Sequence, residues 1–327
     1  MKNTLLARAL LGLSTCLMAL VCGGASAQTP IGGPVKVVVG FAAGGSNDIV
    51  ARVVSKKAGE ILGEILVVVN QPGASGAIAA EAVAKAKPDG QTLLLASPTV
   101  LAIAPHVMPD LRYHPQRDFV GIGTVAMNVQ VLAINPSVKA KNMQEFLSLT
   151  RSNDLSMASA GNGALSHLTI ELLRSSGGGK VTHIPFKGGA PATNDVVAGH
   201  VDGIIMDLPP LKSFIASGRL RALAVTSRTR STFLPDVPTA IESGMRDVEA
   251  VNWFAVLAPK GTPGKTADLI HDAFSKAVKD PAVIKQLADA GIEPMTQASR
   301  ADFDAFLQEE LVRWGKVAAT AKIVVKN

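Results

Sequence analysis

Short β-branched runs alternate with segments of helical period along this chain, and that alternation limits the fold more than any other feature. Residues 35–39 read VKVVV and end at Gly40, the pattern of a buried parallel strand. From 48 to 63 the apolar side chains fall at helical spacing: Ile49, Val50, Val53, Val54, Ala58, Ile61 and Leu62. Runs at 65–69 and 92–96 read as strands, with a helix at 76–86 between them. A βαβαβ order builds a mostly parallel sheet with right-handed crossovers. The pattern then restarts. Strands are expected at 129–134, 155–158, 182–185, 203–206 and 220–225, and helices at 143–152, 166–174 and 193–199. A strand at 254–258 and amphipathic helices at 267–279 and 300–319 close the chain. The expectation is therefore an α/β protein with two α/β lobes around a central ligand cleft. Lobe 1 takes residues 28–128 and 252–327, and lobe 2 takes 129–251, inserted into it. A chain of 327 residues, 47% hydrophobic, is long enough for both. The cleft between such lobes is the default ligand site.

Residues 1–27 read as a signal peptide rather than as part of this fold. Lys2 and Arg8 are followed by an apolar stretch at 10–21 and by Ala25-Ser26-Ala27. The apolar stretch is shorter than the ~20 residues that span a bilayer. Export to the periplasm follows. It also removes Cys16 and Cys22, the two cysteines of the chain, and two of the positive charges behind the formal +6. Thiolate catalysis, disulfides and cysteine metal sites are then excluded together. The charge excess is mild and spread out, aromatic residues are 4%, and there is a single tyrosine, Tyr113. That balance argues against a nucleic-acid partner.

Three glycine-rich loops stand where strand gives way to helix. The first is Phe41-Ala42-Ala43-Gly44-Gly45-Ser46-Asn47-Asp48. Free N–H groups at such a helix start favour a carboxylate or phosphate. The loop has neither the lysine of a P-loop nor the glycine spacing of a dinucleotide fingerprint. Ser46 and Asp48 read equally well as helix caps. The second loop spans 159–167. There Ser166 could cap the helix or bind a ligand oxygen, and His167 reads more readily as an ordinary helix-start residue. The third loop spans 186–195 and echoes the first, so two such loops from two lobes could offer backbone donors to one anion. Ser97 and Asp207 end strands and are candidates for the cleft wall, Asp207 being equally readable as a turn residue. No Gly-x-Ser-x-Gly elbow occurs, and the six histidines lack zinc spacing. The expectation is no enzyme, no metal and no cofactor.

At these loops the chain resembles the substrate-binding receptors of tripartite tricarboxylate transporters, the Bug-type periplasmic proteins. The match runs through Phe41-Ala-Ala-Gly-Gly-x-x-Asp48-Ile-Val-Ala-Arg52, Asn70-Gln-Pro-Gly-Ala74 and Lys87-Pro-Asp-Gly-Gln-Thr-Leu-Leu94. It continues through Ala158-Ser-Ala-Gly-Asn-Gly163, His183-Ile-Pro-Phe-Lys-Gly188, Gly199-His-Val-Asp202, Pro235-Asp-Val-Pro-Thr239 and Ala258-Pro-Lys-Gly-Thr-Pro263. The resemblance implies a type II periplasmic-binding-protein fold that closes on a small carboxylate: a di- or tricarboxylate, an amino acid or an aromatic acid. It implies delivery to membrane permease subunits of a tripartite tricarboxylate transporter by a monomeric receptor. Presentation of the ligand to a sensor-kinase ectodomain is the alternative, and a secreted enzyme acting on carboxylates the more remote one.

Carried over by position, the first loop contributes Phe41, Ala43, Gly44, Ser46 and Asp48, and the second contributes Gly163, Ser166 and His167. The third contributes Lys187, Gly188, Ala190, Thr193 and Asp195, and Asp207 matches a frequent cleft aspartate. Phe186 replaces a frequent tyrosine, and Ala164-Leu165 stands where polar residues are common. Aspartates 48, 195 and 207 near the cleft would tolerate or prefer a ligand ammonium.

Overall fold

The computed structural model describes residues 31–177 and 179–325. The signal-peptide expectation falls on residues 1–27, outside the described residues. In chain order the elements are β1 (Val35–Val39), α1 (Ser46–Leu62), β2 (Leu66–Asn70), α2 (Ala77–Ala84), β3 (Thr92–Ala96), α3 (Ala104–Val107) and β4 (Phe119–Ile134). Then follow α4 (Met143–Ser152), β5 (Leu155–Ser159), α5 (Leu165–Ser175), β6 (Val181–Pro185), α6 (Gly189–Ala198), β7 (Gly203–Asp207), α7 (Leu208–Ala216) and β8 (Arg221–Val225). The chain closes with β9 (Val251–Pro259), α8 (Gly264–Ala277), α9 (Pro281–Asp289), β10 (Glu293–Pro294) and α10 (Arg300–Ala321).

The strands join in the order β2-β1-β3-β9-β4-β7-β5-β6, with β8 and β10 also paired to β4. β1 runs parallel to both β2 and β3, with Val37 opposite Val68 and Leu93. Val35, Val37 and Val39 have no solvent exposure. Each such side chain contributes about 1.5–3 kcal/mol by burial. The long strand β4 is shared. Its stretch from Phe119 to Val129 pairs with β9, and from Gln130 to Ile134 it pairs with β7. Two apolar clusters cover the β1–β3 half of the sheet, and two others cover the β5–β7 half. The result is two α/β lobes on one spine. α10 packs on both, touching β4 and α5. Glu310 pins it, accepting from the indole N–H of Trp253 (2.7 Å) and of Trp314 (3.1 Å).

Several elements differ from the sequence expectation. β4 begins at Phe119 rather than at 129, because register shifts at Gly121/Gly123 and Thr124/Ala126 break its period-two pattern. α6 begins at Gly189, four residues before the expected start, where Gly and Pro191 weaken the helical signal. α7 and α9 were not expected at all. Both carry proline in the first helical turn, which suits a helix start but reads as a breaker in sequence. One glycine contact places the first loop. A Cβ on Gly40 would sit 2.5 Å from the Cα of Gly76, so only glycine lets the end of β1 run this close beneath the turn before α2.

Candidate functional site

The strand-to-helix turns of both lobes meet around one cavity of about 130 Å³. That is several times the roughly 10–15 Å³ needed to hold a single water, and is room enough for one small acid. Four helices start at its wall: α1, α5, α6 and α7. Their N-cap residues, Gly45, Ala164, Gly188 and Asp207, all line the cavity, and none makes a side-chain cap hydrogen bond. Elsewhere α4, α9 and α10 are capped by Asn142, Asp280 and Ser299, while α2, α3 and α8 carry no side-chain cap. A helix N-terminus carries about half a positive charge and unpaired N–H groups. The ends of α1, α5 and α6 form an anion site without an ion pair, while α7 adds little because Pro209 and Pro210 in its first turn have no N–H.

The first loop is held from behind. Asp48 is buried, and its carboxylate accepts from the Gly44 N–H (3.0 Å), Arg52 Nε (3.0 Å) and Asn70 Nδ2 (2.9 Å). Burial opposes the charge, but the bonds from Arg52, Gly44 and Asn70 outweigh it and hold the carboxyl below the ordinary range. Asn70 Nδ2 also donates to the Phe41 carbonyl (3.0 Å), so one amide clamps both ends of the loop.

In the second loop Ser166 Oγ accepts from the Ala160 N–H (3.0 Å), and Thr99 Oγ1 accepts from the Leu165 N–H (3.0 Å) across the cleft. Ser75 Oγ donates to the Asn162 carbonyl (3.1 Å), a second bond between the lobes. Behind the loop the rings of His167 and His183 stack with centroids 3.8 Å apart. His167 Nδ1 accepts from the Gly163 N–H (3.1 Å), and His183 Nε2 lies 2.6 Å from Ser159 Oγ. Burial pushes both histidines down to about 4. The Arg174 charge adds to the effect on His167, and the neighbouring imidazole and Arg174 add to it on His183. Both are neutral at pH 7. The third loop is tied to the second by the Gly188 N–H donating to the Ala160 carbonyl (3.1 Å).

Ten of the fifteen candidate residues line the cavity: Phe41, Ala43, Gly44, Ser46, Ser97, Ser166, Lys187, Gly188, Ala190 and Asp207. The other five stand off its wall. Asp48 and His167 brace loops from behind. Gly163 is fixed by packing, since a Cβ there would meet Val325 at 2.9 Å and Val107 at 3.2 Å. Thr193 Oγ1 donates to the Gly189 carbonyl (2.8 Å) inside α6, and Asp195 faces His200 Nδ1 (3.4 Å).

The sequence reading missed the floor. Gln130 and Asn252 line the cavity beside Asp207. Asn252 Nδ2 donates to Asp207 Oδ2 (2.7 Å), and Gln130 Nε2 to Asp207 Oδ1 (3.4 Å). Thr169 Oγ1 holds the Gln130 carbonyl (2.8 Å). Burial pushes the Asp207 carboxyl up, offset in part by Asn252, Ser46, Gln130 and Asn128 around it. A signal did exist, namely single amides inside apolar runs where the chain passes between lobes, at 128–130 and 250–252. Among the described residues no His, Asp, Glu or Cys cluster could hold a metal, and no helix is long and apolar enough to cross a membrane.

The family model described as the tripartite tricarboxylate transporter family receptor matches residues 50–323. The chain belongs to this receptor family. It is a family of substrate-binding proteins, not of enzymes. The protein BugT of Bordetella pertussis is 36% identical over 295 residues, which are 89% of this chain and 90% of BugT. The solved structure of the periplasmic binding protein BugD superposes with a TM-score of 0.83 at 34% identity, covering 90% of this chain and 99% of BugD. That of R. palustris Rpa4515 with adipate gives a TM-score of 0.84 at 32% identity, covering 89% and 98%. The receptor therefore shares the two-lobe α/β fold of periplasmic binding proteins.

Proposed function

We propose that this receptor is exported by cleavage of residues 1–27, captures a small carboxylate in the interlobe cavity and delivers it to the permease of a tripartite tricarboxylate transporter. The observation that carries the reading is the meeting of the N-termini of α1, α5 and α6, whose own N-cap residues make no side-chain cap, on one cavity of about 130 Å³. Donors fixed in the backbone lose little entropy on binding, and they suit a carboxylate better than a neutral ligand. Adipate bound to Rpa4515 agrees with a carboxylate as the ligand class. The reading places the lobes at 28–128 with 252–327 and at 129–251, and they close as a population shift biased by the ligand.

A thermal-shift and calorimetric screen tests this reading, using mono-, di- and tricarboxylates, amino acids and aromatic acids. A binder present at 100 times its Kd adds about 2.7 kcal/mol to stability. Failure of every acid to bind folded protein would overturn the receptor reading. Mass spectrometry of the exported protein tests the cleavage after Ala27, and co-purification with the permease subunits tests the partnership.

A further inference from the structure

The two edges of the sheet are protected unequally. β6 ends one side. The Leu155 N–H donates to the Lys180 carbonyl and the Phe186 N–H to the Ser159 carbonyl, so residues 181, 183 and 185 face outward. Pro185 has no N–H to offer there, which blocks pairing along that edge. β2 ends the other side with Leu66-Val67-Val68-Val69-Asn70, and has no proline, bulge or lysine. Its pairing with β1 begins at the Ile65 carbonyl, which accepts from the Val35 N–H (2.9 Å), and ends at the Gln71 N–H, which donates to the Val39 carbonyl (2.8 Å). Bonding residues alternate along a strand, so Leu66, Val68 and Asn70 turn their N–H and C=O groups to the open edge. Exposed apolar side chains gather on the same strand. Ile65 is 70% exposed, Val67 44% and Val69 38%, all on one face by the period of two. Ile78 of α2, 45% exposed, lies over Gly73 just past the strand. These four are half of the eight large hydrophobics exposed among the described residues, so the patch is concentrated rather than scattered.

The other face carries charge in a fixed order. α1 leaves an open groove beside β2. Arg52 Nη2 donates to Asn70 Oδ1 (3.1 Å), which sets the basic end of the groove, Arg52 and Lys56, toward the C-terminus of the strand. Gly59 lies against Leu66, which sets the acidic end, Glu60 and Glu64, toward its N-terminus.

We propose that β2 is the two-fold interface of a homodimer, in which a second copy of this chain pairs antiparallel along the open edge and one sheet runs through both molecules. The edge is self-complementary about Val68. Val68 exchanges both backbone bonds with Val68 of the second copy, and Leu66 does so with Asn70 of the second copy. Val67 then faces Val69 of the second copy on the apolar side. On the helix side the two α1 helices run antiparallel, so the basic end of each groove meets the acidic end of the other, twice. A strand from a different protein would satisfy the backbone groups, but the reversed charge order is supplied by a second copy. No residue of β2 lines the cavity, so each copy keeps its own ligand site and the inference is independent of the ligand. It replaces the monomer that the family resemblance implies.

Sedimentation equilibrium and light scattering on the exported receptor test the interface, over concentrations of about 1 to 500 μM, where interfaces of modest size associate. The expected result is a monomer–dimer equilibrium within that range, weakened by added salt. The double variant Val67→Lys, Val69→Lys changes exposed positions and should raise the dimer Kd at least tenfold, with an unchanged melting temperature at the lowest concentration. Should it fail to fold, charge exchange on α1 tests the same edge. Lys56→Glu and Glu60→Lys should each weaken the dimer several-fold, and an equal mixture of the two should recover it, because each contact then joins opposite charges again. A receptor that stays monomeric across the whole range overturns the proposal. So does a dimer that survives in the folded lysine variant, or one for which the mixed charge variants associate no better than either alone.

Discussion

Asp48 shows how one side chain can serve a binding loop without lining the cavity. Its carboxylate gathers Gly44, Arg52 and Asn70, and Asn70 in turn fixes Phe41. Asp48→Asn keeps the size but removes the charge that holds these donors. The expected loss is about 1–3 kcal/mol of stability, read by urea or thermal unfolding. Loosening of Gly44 should weaken ligand binding as well. The stacked pair His167 and His183 sets a pH dependence of its own. The folded values lie near 4, while an unfolded histidine titrates near 6.5. Below 6.5 the unfolded chain takes up protons that the folded chain refuses, so stability falls as pH drops from 6.5 toward 4 and levels off below that. Asp48 acts at lower pH, since its depressed carboxyl contributes fully above about 4 and loses its contribution as pH falls through the folded value. Melting temperature measured from pH 8 to 4 should be flat above 7 and decline below 6.5. His183→Phe, which keeps an aromatic face for the stack, should flatten roughly half of that decline.

At the scale of the element, the active parts are helix starts left without caps. Gly45 precedes α1 in an extended conformation, and a Cβ there would meet nothing nearer than the Ala42 carbonyl at 3.6 Å. Gly45→Asp therefore fits, caps α1 and places a carboxylate where the ligand's would lie. Stability should change by only a few tenths of a kcal/mol, because glycine is itself a fair N-cap. Carboxylate affinity should fall more than tenfold, measured by calorimetry. These loops were legible in the sequence because each is a local pattern: an apolar strand, small residues and a helix start within about ten positions. The floor was not legible, because it is built at long range. Gln130, Asp207 and Asn252 come from three strands, 77 and 45 residues apart in the pairs they form. Each alone is a polar residue in an apolar run. The first half of β4 was hidden by its register shifts, and α7 and α9 by the prolines in their first turns. The capping role and the ligand role of Asp48 could not be separated until its partners were seen behind the loop.

For the molecule as a whole, the cavity exists only while the lobes face each other, so contacts between lobes outside the cavity set its affinity. Besides Thr99 and Ser75 at the cleft, α7 carries one on another face. Lys212 Nζ donates to the Ala288 carbonyl (3.2 Å) and the Asp289 carbonyl (2.8 Å), which end α9 in the other lobe. The ammonium also lies 5.3 Å from the centre of the Phe233 ring. A cation at the C-terminal carbonyls of a helix is favoured by its dipole. The N-cap of the same helix α7 is Asp207 on the cavity floor, so the contact and the site are joined through one element. Lys212→Met keeps the length and the apolar stem but cannot donate. If the facing arrangement is held in part by this contact, its population falls and the apparent Kd rises by the same factor. The expected result is a three- to tenfold weaker affinity for the best acid, with an unchanged melting temperature for each lobe's core. Small-angle scattering should show a larger radius of gyration for the ligand-free variant than for the ligand-free wild type, and equal radii once both are saturated. Equal affinities for the two proteins would assign Lys212 to local support of α9 and leave closure to the cleft contacts and the ligand.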